Sequence, residues 1–269
     1  MSLKIIVCVK QVPDMEKIRF FYENDILVEE SFNNVLNSDD ASALEESLRI
    51  KDIQKDTHIT IVTMGPSQSK DAVLECMALG ADDGVIITDE ALADSDTLVT
   101  AEVLSAAIRK IGDYNLIFTG RQTIDGGTAQ VGPQLAELLN LPQLTNIVSL
   151  NVEEDGKSLI AKRALENYCE TVFLQMPCLL TVSNEFNRPR GMSLKGIRDA
   201  GKKVVKVWTA GDLDLKINSI GYGCSPTRVK RIFMPSHKKR GRLICTENEK
   251  EAVHELLKEL EGSRVDYEK

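Results

Sequence analysis

Histidine is scarce in this 269-residue chain, with residues only at positions 58, 237 and 254, and the six cysteines include no CxxC pair. Zinc, iron–sulfur and Cys–His nucleophile chemistry therefore have no basis in the sequence. Buried, reduced thiols are the better account of Cys8, Cys76, Cys169, Cys178, Cys224 and Cys245. No apolar run reaches the ~20 residues that span a bilayer, so membrane insertion is not expected. The opening "MSLKIIVCVKQVP" goes straight into strand-like sequence, with neither a signal-peptide core nor an Arg/Ser-rich transit segment. A cytoplasmic, prokaryotic setting is the expectation. The net charge of −8 argues against general nucleic-acid binding.

What remains is a soluble globular composition, 42% hydrophobic and 28% charged. Its length suits one large α/β domain, alone or with an extension. Strand and helix signals alternate through the first ~140 residues. "KIIVCV" is a continuous apolar strand, and "NSDDASALEESLRIKD" reads as a helix with cap candidates Asn37, Ser38 and Asp39 and a stripe of Ala41, Leu44 and Leu48. "HITIVTM", "GVIIT" and "NLIFTG" are further buried strands. Between them lie a helix over 67–79, facing inward through Ala72, Val73, Cys76 and Met77, and the helix of "DTLVTAEVLSAAIRKI". This order predicts a doubly wound, Rossmann-like parallel sheet whose ligands lie at the strand C-terminal ends. Those ends are Val7-Cys8-Val9, Met64-Gly65-Pro66, Thr88-Asp89 and Thr119-Gly120. Residues 145–183, with an Asp155-Gly156 turn, read as an antiparallel addition. Beyond residue 184 the periodicity weakens, which predicts an arm lying on another protein, closed by the amphipathic helix "TENEKEAVHELLKELEG". Residues 188–206 and 228–242 carry seven Lys/Arg each, fitting either a solvated surface or a docking segment for an acidic partner. The expected division is a nucleotide-binding α/β domain over 1–185 and a docking loop with C-terminal arm over 186–269.

One segment carries the chemistry: "FTGRQTIDGGTAQVGPQLAELLNLP", residues 118–142. An apolar strand ends at Gly120, a loop follows with Gly126 and Gly127, and a helix is expected from about Thr128, with Val131, Leu135, Leu138 and Leu139 on one face. Free N–H groups and the positive end of the helix dipole suit a phosphate, although an ordinary αβ loop also uses glycine. Thr128 and Gln130 add side-chain hydrogen-bonding capacity. The segment matches neither GxGxxG nor GxxxxGK[ST].

Several motifs, in order, resemble the beta (small) subunit of electron-transfer flavoproteins. They are "VCVKQVPD" at 7–14, "LNSDD" at 36–40, "TMGPSQS" at 63–69, "MALGADDGV" at 77–85, "GRQTIDGGTAQVGP" at 120–133 and "MPCLLTVSNEFNRPR" at 176–190. The resemblance spans essentially the whole chain. It implies an obligate heterodimer with a larger alpha subunit. It also implies an adenine nucleotide at the sheet rim, either a structural AMP or, in electron-bifurcating members, a second FAD that accepts hydride from NADH. In those members one electron then passes to ferredoxin or flavodoxin. The other goes through the alpha-subunit flavin to an acyl-CoA dehydrogenase-like partner. By the same resemblance, Cys8, Val9, Asn37, Met64 and Thr123 surround the nucleoside, and Asp40 is a further cofactor-binding position. Asp125, Gly126, Gly127, Thr128, Ala129, Gln130 and Val131 hold the phosphate, and Leu194 anchors dehydrogenase partners.

"SDTLVTA" at 95–101 resembles the bifurcating subgroup, in which the Asp96–Thr97 pair lies near flavin, so FAD is favoured over AMP. Asp96 reads equally well as the cap of its own helix. Gly127 stands where the family usually has Asp, Met15 where it has Thr, and Asn167 and Tyr168 depart from a later signature. A universal-stress-like ATP-binding protein shares the strand layout but calls for a Gly-rich ATP loop that this chain does not show.

Overall fold

The computed structural model describes residues 2–14, 17, 19–23, 26–30, 34–215, 221–230, 243–246 and 248–262. Met15 and the basic stretch 231–242 lie outside them. Two compact units divide the chain, Met1–Lys230 and Arg231–Lys269.

In the first unit β1 (Lys4–Cys8) starts the sheet, and β2 (Gln11–Pro13), β3 (Arg19–Glu23), β4 (Ile26–Glu30) and β5 (Asn34–Leu36) form two small antiparallel pairs, β2 with β5 and β3 with β4. Then come α1 (Ser38–Ile53), β6 (His58–Met64), α2 (Lys70–Leu79), β7 (Asp83–Ile87), α3 (Thr97–Ile111), β8 (Leu116–Gly120) and α4 (Val131–Leu139). The strands β9 (Gln143–Val152), β10 (Ser158–Ala164), β11 (Cys169–Gln175) and β12 (Cys178–Val182) follow, then α5 (Leu194–Ala200) and β13 (Lys206–Trp208). One nine-stranded sheet results, in the order β11-β10-β9-β12-β8-β1-β6-β7-β13.

The apolar runs form strands buried on both faces, and their alternating side chains separate two cores. Ile5 and Val7 of β1 join Leu44 and Leu48 of α1 and Val73 and Met77 of α2 on one face. Ile6 and Cys8 join Val99 and Leu104 of α3 and Leu135 of α4 on the other. Helices on both faces of a mostly parallel sheet make the expected doubly wound architecture.

Three expectations are corrected. The strand after Pro177 is not part of the antiparallel addition: β12 lies between β8 and β9 and is parallel to both, while β9, β10 and β11 form the antiparallel part. Residues beyond 184 do not lack a core pattern. Ala200 and Val205 are buried, α5 packs on α2, and β13 pairs with β7, so the first unit continues past residue 185. Gly196 permits that packing, since a Cβ there would lie 2.1 Å from the Ala78 carbonyl oxygen. Cys169, Cys224 and Cys245 are exposed rather than buried.

In the second unit, α6 (Glu249–Gly262) carries Val253, Leu256, Leu257 and Leu260 at helical spacing, all exposed. Among the described residues no helix is long and apolar enough to cross a membrane.

Candidate functional site

The strand C-terminal ends and the head of α1 are tied together. Asn37 is the N-cap of α1 by position, yet its side chain makes no cap bond. It reaches across to the loop after β8, donating through Nδ2 to the Gln122 carbonyl (2.9 Å) and accepting through Oδ1 from the Ile124 amide (3.2 Å). Asp39 accepts from the amides of Gln122 (3.3 Å) and Asn184 (3.0 Å), and Asp40 from those of Lys10 (2.8 Å) and Gly120 (2.9 Å). Three polar residues at one helix end therefore fix the loops after β1, β8 and β12. Burying such groups is tolerable only when they are bonded in this way. This overturns the expected amphipathic reading of α1: Asp39, Asp40, Glu45 and Glu46 are buried along with Leu44 and Leu48.

Farther along α1, Arg190 donates to both oxygens of Glu45 (2.9 and 3.1 Å) and to Asp52 (2.8 Å), and Asn187 donates to the Ser42 carbonyl (3.0 Å). The pair with Glu45 holds the guanidinium in its charged form and raises its pKa. The "NEFNRPR" stretch is thereby laid along α1.

The loop from Gly120 leads to α4. The helix begins at Val131, with Gln130 in the N-cap position, three residues later than expected at Thr128. The reason is local: Gly127 and Ala129 have φ of 59° and 54°, which interrupts a helical run. Asp125 accepts from Lys10 Nζ at 2.5 Å and from the Gly126 amide at 2.8 Å. Burial raises its pKa, but the bonds from Lys10 and Thr123 outweigh this and hold the carboxyl below the usual range. Thr97 Oγ1 donates to Gln130 Oε1 at 3.0 Å, linking the heads of α3 and α4. Among the described residues, no hydrogen bond occupies the backbone N–H groups of Thr128, Ala129, Gln130 and Val131. Gly132 sets α4 close to the sheet, because a Cβ there would come 2.7 Å from Thr181 Cγ2 and 2.8 Å from Thr119 Oγ1. Four unengaged amides at a helix N-terminus fit the donor set that a phosphate needs.

Cys8 and Val9 are buried at the end of β1, with burial pushing the Cys8 thiol up to about 12, and Met64 is half-buried at the end of β6. Asp96 caps α3 through the Leu98 and Val99 amides, 3.1 Å each, and also accepts from the Thr227 amide and hydroxyl, 2.9 Å each. Its carboxylate is thus engaged by α3 and by residues 221–230. Leu194 begins α5 with 88% of its surface exposed, apart from the rim residues. The sequence reading gave Lys10 and Asn184 no role and took Asp39 only as a helix cap; the consecutive Asp39-Asp40 pair in the first turn of α1 was the available signal.

A parallel sheet with helices on both faces and an amide-lined helix head at its C-terminal rim defines a Rossmann-like α/β chain. The model of the electron transfer flavoprotein domain matches residues 25–213. The chain is 42% identical to "Electron transfer flavoprotein subunit beta" of Thermoanaerobacterium thermosaccharolyticum, over 98% of this chain and 100% of that one. It is 37% identical to "Caffeyl-CoA reductase-Etf complex subunit CarD" of Acetobacterium woodii and 37% to "Acryloyl-CoA reductase electron transfer subunit gamma" of Anaerotignum propionicum, each over 98% of this chain and 100% of the relative. The chain belongs to the electron transfer flavoprotein family, as a beta-subunit chain.

Proposed function

We propose that the chain is the nucleotide-carrying subunit of a heterodimer with an electron-transfer-flavoprotein alpha subunit, working in the cytoplasm, and that its rim holds FAD. The observation that carries this reading is the row of unengaged amides from Thr128 to Val131 at the head of α4. There a pyrophosphate is bonded by backbone and faced by the helix dipole. Cys8, Val9, Asn37, Asp40, Met64 and Thr123 border the nucleoside, with Asp125, Gly126 and Gly127 forming the turn beside the phosphates. Asp96 and Thr97 at the head of α3 complete the cofactor surroundings. When bound, a flavin supplies acceptance of a hydride from NADH and release of electrons one at a time. The residues of the chain orient the nucleotide and fix the loops around it; none acts as an acid or base. The electron acceptors are ferredoxin or flavodoxin and, through the alpha subunit, an acyl-CoA dehydrogenase-like flavoenzyme. The relatives named for CoA reductases support a partner of that class.

A structural AMP is the second reading, favoured by one observation: both oxygens of Asp96 are already engaged, by the Leu98 and Val99 amides and by Thr227. The deciding experiment is co-expression with the alpha subunit followed by cofactor extraction. Two FAD and no AMP per heterodimer is expected; one of each selects the AMP reading. A folded heterodimer whose beta chain carries neither would overturn both.

A further inference from the structure

Both carboxylate oxygens of Asp40 accept from backbone amides. The side chain lies in the first turn of α1 with 5% of its surface exposed, and each oxygen serves a different loop. Oδ2 accepts from the Lys10 amide at 2.8 Å and Oδ1 from the Gly120 amide at 2.9 Å. These amides stand at the ends of β1 and β8, which are neighbours in the sheet. Gly120 and the carboxylate fit one another closely, since a Cβ at position 120 would lie 2.2 Å from Asp40 Oδ1. Each loop then leads to the rim: Lys10 reaches Asp125, and Gly120 opens the turn into α4.

We propose that Asp40 is a positioning residue that joins the β1 and β8 loops fully only while it is ionised, so that the phosphate cradle at the head of α4 loosens on protonation. The inference rests on the nucleotide-site reading above. An ionised carboxylate accepts on both oxygens. A protonated one converts one oxygen to an O–H, which meets an amide N–H donor to donor and releases one loop. Burial pushes this carboxyl up to about 7, against the pull of the Lys10 and Gly120 amides and the Asn37 side chain, with Asp39 adding repulsion. The release therefore falls near neutral pH.

Four other ionisable groups face Asp40. Asp39, on the same helix, is held by the Gln122 and Asn184 amides. Cys8 on β1 and Cys76 on α2 are buried thiols, with Cys8 pushed up to about 12 and Cys76 higher still, so both are neutral across this range. Lys10 offers its amide, its ammonium being paired with Asp125.

Hydrogen exchange on the full-length chain, at about pH 6 and about pH 8, tests this in wild type and in Asp40→Asn. After correction for intrinsic rates, segments containing Lys10 and Gly120 should exchange about tenfold faster at the lower pH in wild type, and equally at both in the variant. FAD binding, whose pyrophosphate does not titrate in this range, should weaken about tenfold at the lower pH in wild type and stay flat in the variant. AMP binding should lose about tenfold more in wild type than in the variant, the phosphate of AMP (pKa about 6) adding a slope common to both. Exchange in wild type that ignores pH, or an unchanged pH dependence in Asp40→Asn, overturns the proposal. Should the variant fail to fold, the wild-type exchange series decides alone. If neither nucleotide binds at any pH while the exchange result holds, the joint stands and the nucleotide reading falls.

Discussion

At the scale of single residues, the rim depends on groups whose chemistry serves the backbone. Gly120 is one, because a Cβ there would meet Asp40 Oδ1 at 2.2 Å, Asp39 Cβ at 2.8 Å and the Asp40 amide at 2.9 Å. Backbone and a bonded carboxylate cannot yield cheaply, so Gly120→Ala is expected to lower stability by about 2–3 kcal/mol, read as a shift in the urea midpoint. Asp40 adds a pH dependence of unusual sign. Its pKa rises from 3.8 to about 7 on folding, so between those values the native state keeps a proton that the unfolded chain has released. Stability from this group is greatest below pH 3.8, falls as pH rises and levels off above about 7, a loss of at most about 4 kcal/mol. Urea unfolding at about pH 5 and about pH 8 should show a steeper decline in wild type than in Asp40→Asn. Equal slopes would rule out Asp40 as the source. The same ionisation that completes both loop bonds thus costs global stability.

Among the elements, α4 separates two glycines that look alike in sequence. Gly127 has φ of 59° with nothing within 4 Å of an added Cβ, whereas Gly132 faces Thr181 and Thr119 at under 3 Å. Gly127→Asp is expected to cost about 1 kcal/mol or less, because Asp tolerates the left-handed region. Gly132→Val should lift α4 from β8 and β12 and cost about 3 kcal/mol, with the helix-capping amides displaced together. Thermal unfolding of the two variants distinguishes them, and similar losses would contradict the placement of α4. The strands and the inward face of α2 were legible because continuous apolar runs and a period-3.6 pattern determine which side chains can leave water. The head of α1 was not. Asn37 and Asp39 look like local caps, and only the fold shows that their partners Gln122 and Asn184 lie about 80 or more residues away. The start of α4 was misplaced because positive φ at Ala129 leaves no signal in the sequence. Equally hidden was β13, three residues long and mostly exposed, too short to carry a pattern.

For the whole molecule, α5 and α6 each present exposed apolar side chains, Leu194 and Ile197 on the first and Val253, Leu256, Leu257 and Leu260 on the second. Leu194→Ala should leave unfolding within about 0.5 kcal/mol of wild type, since the side chain is 88% exposed. It should weaken binding to an acyl-CoA dehydrogenase-type partner by about 2 kcal/mol if that leucine is the anchor of the contact, as titration calorimetry would show. Unchanged affinity would move the docking surface elsewhere.

The position of β12 has a consequence for how the chain is made. Its ladder joins β8 to β9, although β9, β10 and β11 all precede it in sequence. As the polypeptide leaves the ribosome, the meander β9–β11 exists before the strand that connects it to the rest of the sheet. Until Val182 emerges, β8 and β9 each present an open edge, the kind of surface that seeds misassembly. Strand β12 can thus fill the gap between β8 and β9 only once residue 182 is available, and the same segment places Asn184 beside Asp39 in the folded chain.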